Sequence, residues 1–215
     1  MNKNEIVKTG WLKIGFDFLT ACLLLAVLSP LFGFIILCIV VEGLFIKENR
    51  GPIFYAEQRI SQGKPFKFFK FRIFKRHAIQ AMVDEQGYIS TKDLENKGGA
   101  VTWTGTLLKK YYLDELPQIW NVLIGDMSFV GTRPWNVPDY EREISQGVFR
   151  KKVLKAGLVG LVQIKKGVWK TIEEQRRYDD IYIEKCKSAH PLSLLACDFS
   201  IIFRSIWVVV RGEGL

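Results

Sequence analysis

Residues 18–41 read FLTACLLLAVLSPLFGFIILCIVV, without one charged side chain. At about 1.5 Å per residue, a helix of this length exceeds the roughly 30 Å hydrocarbon core of a bilayer. A helix in the core of a soluble protein normally keeps a polar face; this segment has none, so it is expected to insert into a membrane. The run is too long for a cleavable signal, and no small-residue cleavage site follows it. Ser29-Pro30 falls in its middle. Proline there removes a backbone hydrogen bond and crowds the carbonyl of Ala26, so a kink or break is expected, with the Ser29 hydroxyl or a packed neighbour serving the freed groups. Lys3, Lys8 and Lys13 precede the run, and Lys47, Arg50 and Arg59 follow it. A crossing helix cannot satisfy the positive-inside rule at both flanks, whereas one that dips in, bends at Ser29-Pro30 and returns can. A kinked spanning helix is the alternative that remains open.

The chain has 215 residues, with 31 Lys+Arg against 22 Asp+Glu and a formal net charge of +9. That length suits one domain with a real core. A basic balance points to nucleic acid, an acidic membrane surface or phosphorylated substrates. The apolar segment argues against nucleic acid. With only His77 and His190, a histidine-rich zinc site or a histidine-based triad lacks parts. Cys22, Cys38, Cys186 and Cys197 form no CxxC pair and fit a reducing, cytosol-facing domain. Neither GxxxxGK[ST] nor GxGxxG occurs, which removes P-loop and Rossmann chemistry. No repeat, low-complexity tract or linker divides the chain. So little sequence precedes the apolar run that no additional spanning helix or domain is expected ahead of it.

The chemistry concentrates around Leu113-Asp114-Glu115-Leu116-Pro117-Gln118-Ile119-Trp120-Asn121. Leu116, Ile119, Trp120 and Leu123 follow the spacing of a helix with one buried face, and Pro117 fits its first turn. Asp114 and Glu115 are therefore expected at the helix N-terminus, where unpaired N–H groups and the dipole favour anions. A carboxylate kept ionised there can act as a nucleophile or metal ligand, or merely as a cap. Ile53 to Phe74 reads as two strands. The first lies around Ile53-Phe54-Tyr55, and a turn at Ser61-Gln62-Gly63-Lys64 leads to a second, Phe66 to Arg72, with Lys70 and Arg72 on one face. Two such cations suit an oligophosphate; a solvated edge strand guarded by lysines is the other reading. Lys109 and Lys110 stand just ahead of the acid pair. Arg133, in a Gly/Pro turn, is placed to present a guanidinium to phosphate.

Further along, a helix is expected around Ala78 to Gln86, then a loop through Gly98-Gly99. Short helical pieces are expected over 139–147 and 148–155, with an apolar turn from Gly157 through Gly160 to Gln163. Thr171-Ile172-Glu173-Glu174 reads as a capping-box start for a helix carrying Tyr178, Asp179 and Tyr182. Leu192 to Val210, opened by Pro191 and interrupted by Asp198 and Arg204, suits an interfacial or core helix.

Taken together these motifs resemble the bacterial sugar transferases, the monotopic phosphoglycosyl transferases. The resemblance is carried by Ser29-Pro30, Gly51-Pro52-Ile53-Phe54, Gln58-Arg59, Lys70-Phe71-Arg72 and Leu113 to Gln118. It continues through Asn121-Val122-Leu123, Gly125-Asp126-Met127-Ser128, Val130 to Pro134, Gly157 to Gln163, and Tyr178-Asp179 with Tyr182. It implies an α/β, mostly α, fold: a re-entrant membrane helix over about residues 14–45 within an N-terminal segment 1–50. A cytoplasmic-face catalytic domain over 51–215 would follow, with a short β-hairpin and amphipathic interfacial helices. The implied reaction moves a sugar 1-phosphate from a UDP-sugar to undecaprenyl phosphate and releases UMP. Asp114 would be the nucleophile, forming an aspartyl-phosphosugar intermediate, and Glu115 would bind Mg²⁺. Lys70, Arg72, Lys109 and Arg133 would hold phosphates, with Gln118, Asp179 and Tyr182 in support. The implied setting is the bacterial inner membrane, at the start of a glycan or polysaccharide pathway, with membrane lipids and downstream glycosyltransferases as partners and room for a homodimer.

The chain departs from the family pattern in places. Position 109 is lysine where arginine is usual, exchanging a bidentate fork for a point charge. Thr132 and Ala156 replace prolines, Phe74 stands where methionine is common, and Lys165-Lys166-Gly167 replaces an Asn-Gly-Arg-like sequence. The last departure bears on nucleotide and sugar recognition. A catalytically idle membrane scaffold and a protein that only binds anionic lipid are the readings from other classes.

Overall fold

A proline inside a helix costs one backbone bond, yet in the computed structural model a single α-helix, α1, runs from Trp11 to Phe45 with Pro30 inside it. The structure describes residues 5–86, 94, 98–165 and 168–210; Lys3, Lys166 and Gly167 lie outside them. At Pro30 the Ser29 hydroxyl donates to the Ala26 carbonyl at 2.8 Å, the acceptor that the missing N–H would have served. Burial along α1 is confined to its ends. Lys13, Asp17 and Ala21 form one buried stripe and Ile35, Ile39 and Glu42 another, while nothing from Cys22 to Phe34 is buried. Phe18, Leu19, Leu23, Val27, Phe34 and Leu37 are exposed. The helix is long and apolar enough to cross a membrane, as is the stretch Pro191–Val208.

The fold is mostly helical and forms two compact units. One comprises Leu23–Glu57 and Lys67–Trp120; the other takes the residues up to Cys22, Gln58–Phe66, and those from Asn121 onward. Strand β1 (Phe54–Ser61) and strand β2 (Lys64–Phe71) form the expected hairpin, with β1 reaching six residues past Tyr55. Gln62 and Gly63 turn it with φ of 50° and 74°, the pair of positive values that a type I′ hairpin turn requires. Strand β4 (Trp135–Asn136) adds to β1 antiparallel, with Arg59 opposite Asn136 and Ile60 opposite Trp135.

In the first unit, Ile35, Ile39, Phe71, Ile73, Phe74, Met82 and Leu108 form the core. The Phe71 ring lies 5.0 Å from that of Phe54 and 5.3 Å from that of Phe32. Helix α2 (Arg76–Gln86) matches the expected one within two residues. Helix α3 (Trp103–Lys110), not expected from the sequence, is capped by Thr102, whose hydroxyl accepts from the Gly105 N–H at 2.9 Å. The Glu42 carboxylate, buried at the end of α1, accepts from the Trp103 and Thr104 N–H groups at 2.7 and 3.1 Å and so serves the orphan donors of α3.

In the other unit, strand β3 (Met127–Val130) runs parallel to β5 (Ala156–Val159), with Ser128 opposite Gly157. The turn expected from Gly157 is therefore a strand up to Val159. An apolar run of four residues with a glycine carries no periodicity, and pairing with a strand nearly thirty positions earlier decides it. Gly157 passes so close to Gly131 that a Cβ there would overlap the Gly131 backbone and lie 2.7 Å from the Val159 carbonyl oxygen. Gly157→Ala is expected to cost about 3 kcal/mol, the upper range for overpacking a tight site. Thermal unfolding of the detergent-solubilised protein would read this as a lowered midpoint; an unchanged midpoint would show that the strands can separate without penalty.

Helices α5 (Val137–Ser145) and α6 (Arg150–Val153) match the expected short pieces. Helix α8 (Ile172–Ser188) starts at the expected cap, Thr171 accepting from the Glu174 N–H at 3.2 Å; α7 is the short turn Leu161–Ile164 before it. Helix α9 (Pro191–Val210) buries Leu194, Asp198, Ile201 and Ser205 and exposes Leu192, Phe199, Phe203 and Ile206, two faces at helical spacing. Asp198 is fully buried. It accepts from the Lys13 ammonium at 2.6 Å and from the Tyr182 hydroxyl at 2.6 Å. Asp17 accepts from the Phe129 N–H at 3.2 Å, and the Phe16 ring meets Phe199 edge-on at 4.9 Å.

Candidate active site

The acid pair follows a strained residue. Tyr112 has φ 56° and ψ 21°, the left-handed region that side chains other than glycine and asparagine rarely adopt. It turns the chain from α3 into a 3₁₀ turn, Leu113–Glu115, and helix α4 (Gln118–Leu123) begins only three residues later. Asp114 and Glu115 therefore precede the helix by a turn and do not sit at its N-terminus. Bonds from the Leu116 N–H to Leu113 (3.3 Å) and from the Ile119 N–H to Leu116 (3.1 Å) carry the chain through Pro117, which has no donor to lose. The expected buried face is also rotated. Ile119 is buried, but Trp120 is 50% exposed, and Gln118, Asn121 and Val122 take the inner positions. Six residues are too few for periodicity to tell one side from the other.

Within this unit, Lys70 stands at the centre of three carboxylates. Its ammonium lies 3.1 Å from Glu115 Oε1 and 3.9 Å from Glu57 Oε1, with the Asp114 charge also acting on it. Burial by itself would lower the Lys70 pKa, but Glu115, Glu57 and Asp114 together outweigh that and hold it above the ordinary value. Lys70 and Asp114, at 7% and 5% exposed, are buried; the Glu115 side chain is 35% exposed. The solvated-edge reading of this strand is therefore wrong for Lys70. Tyr55 donates to Glu57 Oε1 at 3.2 Å, and burial and the surrounding acids push its phenol far above its usual pKa, so it stays a donor. Gln118 is buried beside the turn with its amide nitrogen unpartnered, a donor available to an incoming oxygen.

The other expected residues are placed as follows. Arg72 is buried and its guanidinium donates to the carbonyls of Pro52 (2.6 Å), Asn49 (2.7 Å) and Phe74 (3.1 Å). Three carbonyls engage it as a clamp on the hairpin's exit rather than presenting it to a phosphate. Lys109 is exposed in the last turn of α3. Arg133, Asp179 and Tyr182 belong to the other unit. Arg133 is exposed between β3 and β4. Asp179 Oδ2 accepts from Arg150 at 3.1 Å and Lys151 at 3.0 Å, and Arg150 also pairs with Glu143. Tyr182 hydrogen-bonds Asp198. Glu57, Tyr55 and Glu42 were not singled out from the sequence. Extending the first strand's alternation from Tyr55 would have put Glu57 on the same face.

Chemically, the cluster joins two buried carboxylates, a charged ammonium and a partly exposed third carboxylate. Glu57, Asp114 and Glu115 all act electrostatically on Lys70. Carboxylate oxygens such as these suit a divalent cation of the Mg²⁺ type, which needs only one or two carboxylates and takes the rest from water and substrate phosphates. Among the described residues no three ligating side chains form a ready-made cage, as that mode of binding allows.

Comparison with known proteins adds the lineage. A family model described as bacterial sugar transferase matches residues 8–212. The exopolysaccharide production protein ExoY of Sinorhizobium fredii is 33% identical over 214 residues, 95% of this chain and 88% of that protein. The UDP-N-acetylgalactosamine-undecaprenyl-phosphate N-acetylgalactosaminephosphotransferase of Aeromonas hydrophila is 28% identical over 213 residues, 95% of this chain but 45% of that protein. The UDP-glucose:undecaprenyl-phosphate glucose-1-phosphate transferase of Klebsiella pneumoniae is 32% identical over 175 residues, 78% and 35% of the two chains. The chain thus spans less than half the length of the latter two relatives.

Proposed function

The chain belongs to the bacterial sugar transferase family, and on that premise we propose that it moves a sugar 1-phosphate from a UDP-sugar to undecaprenyl phosphate, releasing UMP. The observation that carries this reading is the buried Asp114 set beside Lys70 and Glu115, next to the unpartnered amide of Gln118. Asp114 attacks the phosphorus next to the sugar; UMP leaves, and an aspartyl-phosphosugar remains. The acceptor phosphate then attacks the same phosphorus and frees Asp114. Dividing the transfer in this way means that a water-soluble donor and a lipid acceptor need not bind together. Lys70, held charged by its carboxylates, neutralises developing charge on the transferred group, and Gln118 donates to one of its oxygens. Glu115, with Asp114 near it, would hold Mg²⁺, which supplies charge neutralisation on the diphosphate. Lys109 and Arg133 are assigned to donor phosphates by the family pattern, while Arg72 is a structural clamp.

The same proposal places the site at the cytoplasmic face of the inner membrane, with α1 re-entrant. Support comes from cations on both flanks, from the stretch 22–34 around Pro30 in which no residue is fully buried, and from buried polar groups fastening each end of α1 to residues of other elements. The exposed apolar faces of α1 and α9 suit a lipid surface, and a membrane-borne acceptor can then present its phosphate without extraction of its tail, at ~0.8 kcal/mol per CH₂. Protease added to inverted inner-membrane vesicles is expected to remove a tag fused to the N-terminus; protection of that tag would establish a spanning helix instead.

The relatives' names carry different sugars, so the donor is found by assay. UMP release by the detergent-solubilised protein with undecaprenyl phosphate and Mg²⁺ tests the reading across a panel of UDP-sugars. Turnover of one or a few donors supports it; folded protein inert with every donor favours the scaffold.

A further inference from the structure

We infer that Glu57 is a positioning residue: it retains the Lys70 ammonium inside the cluster and so leaves Glu115 able to turn from Lys70 to a divalent cation. The inference rests on the reading above, in which Glu115 holds that cation.

The two glutamates that flank Lys70 differ in every respect that matters for this division. Glu115 is the nearer, at 3.1 Å, and its side chain is one-third exposed, so it is open to an arriving ligand. Glu57 is 3% exposed, 3.9 Å from the ammonium, and its Oε1 is held by the Tyr55 hydroxyl at 3.2 Å. Tyr55 is itself buried, edge-on to Phe74 at 6.4 Å between ring centres. Glu57 is therefore fixed and inward, Glu115 outward.

Were Glu115 the sole counter-ion of Lys70, drawing it to a cation would leave a buried ammonium uncompensated beside a divalent charge, which is strongly unfavourable. A second carboxylate that stays behind removes that conflict. The Lys70 head lies over the Phe68 ring at 5.4 Å, a further contact that persists when Glu115 departs.

The test is Mn²⁺ binding by calorimetry to the detergent-solubilised full chain, compared with Glu57→Gln and Glu57→Asp. The amide introduced by Glu57→Gln keeps an acceptor for Tyr55, and thermal unfolding checks that the variants remain folded. Glu57→Gln is expected to weaken Mn²⁺ binding about tenfold, within the usual range of couplings between sites, and Glu57→Asp to recover most of it. Because Glu57 acts through Lys70, Glu57→Gln made in a Lys70→Met background should shift affinity less than about twofold. A tenfold loss in that background would overturn the route through Lys70, leaving only the through-space effect of one charge. Unaltered binding in the single variant would overturn the inference while the cation reading stands. Absence of Mn²⁺ binding to the unmodified protein would remove both, whereas UMP release tests the reaction separately.

Discussion

Asp114→Asn is expected to lower UMP release by about a thousandfold or more, with unfolding of the detergent-solubilised protein unchanged. The amide has nearly the shape of the carboxylate but offers no anionic oxygen to phosphorus, and removing a nucleophile commonly costs this much or more. Stability should not suffer, because the amide is nearly isosteric and Glu115 and Glu57 remain as counter-ions of Lys70. A second readout separates covalent from direct transfer. With donor labelled in its sugar and no acceptor present, the unmodified protein should retain label through denaturing electrophoresis and Asp114→Asn should retain none. Label retained by the variant, or release within tenfold of the unmodified protein, would sink Asp114 as the attacking group.

Lys13→Met should be nearly as damaging, through stability. It leaves Asp198 charged and fully buried, with the Tyr182 hydroxyl still donating to it. Breaking a buried pair from one side costs about 3–5 kcal/mol, mostly the burden of the charge left behind. Replacing both, as Lys13→Met with Asp198→Leu, should recover most of the loss, since Tyr182 can still donate to the Val130 carbonyl at 3.3 Å. Denaturant unfolding of the unmodified chain and the two variants decides it: a single variant as stable as the unmodified chain would mean that Asp198 does not need its cation.

What could be read from the sequence was what neighbours in sequence determine. The apolar helix, the Gln62-Gly63 turn and the Thr171 cap each depend on a few adjacent residues, and the structure reproduces them, whereas α1 runs through Pro30 without the break expected there. The acid pair was legible as chemistry but misplaced by a turn, because a 3₁₀ turn and a first helical turn look alike in sequence. What stayed hidden depends on partners far along the chain. Lys13 and Asp198 are 185 positions apart, and no pattern near either announces the other. Arg72 looked like a phosphate ligand because its donors are visible in the sequence, whereas the three carbonyls that engage them are not. Glu57 was passed over for a different reason: strand alternation from Tyr55 was legible, but the pairing with Lys70 across the hairpin that gives Glu57 its meaning was not.

The two acids that bracket the bare part of α1 have a mechanical consequence. Asp17 and Glu42 are each held by backbone N–H groups of other elements, and neither can follow the helix into hydrocarbon without losing them. They act as stops. In the re-entrant arrangement proposed above, each end of the helix would hold its own depth whatever the thickness of the lipid. A mismatch in thickness would then be met by the bilayer around it, or by tilt and bending of the segment between the two stops.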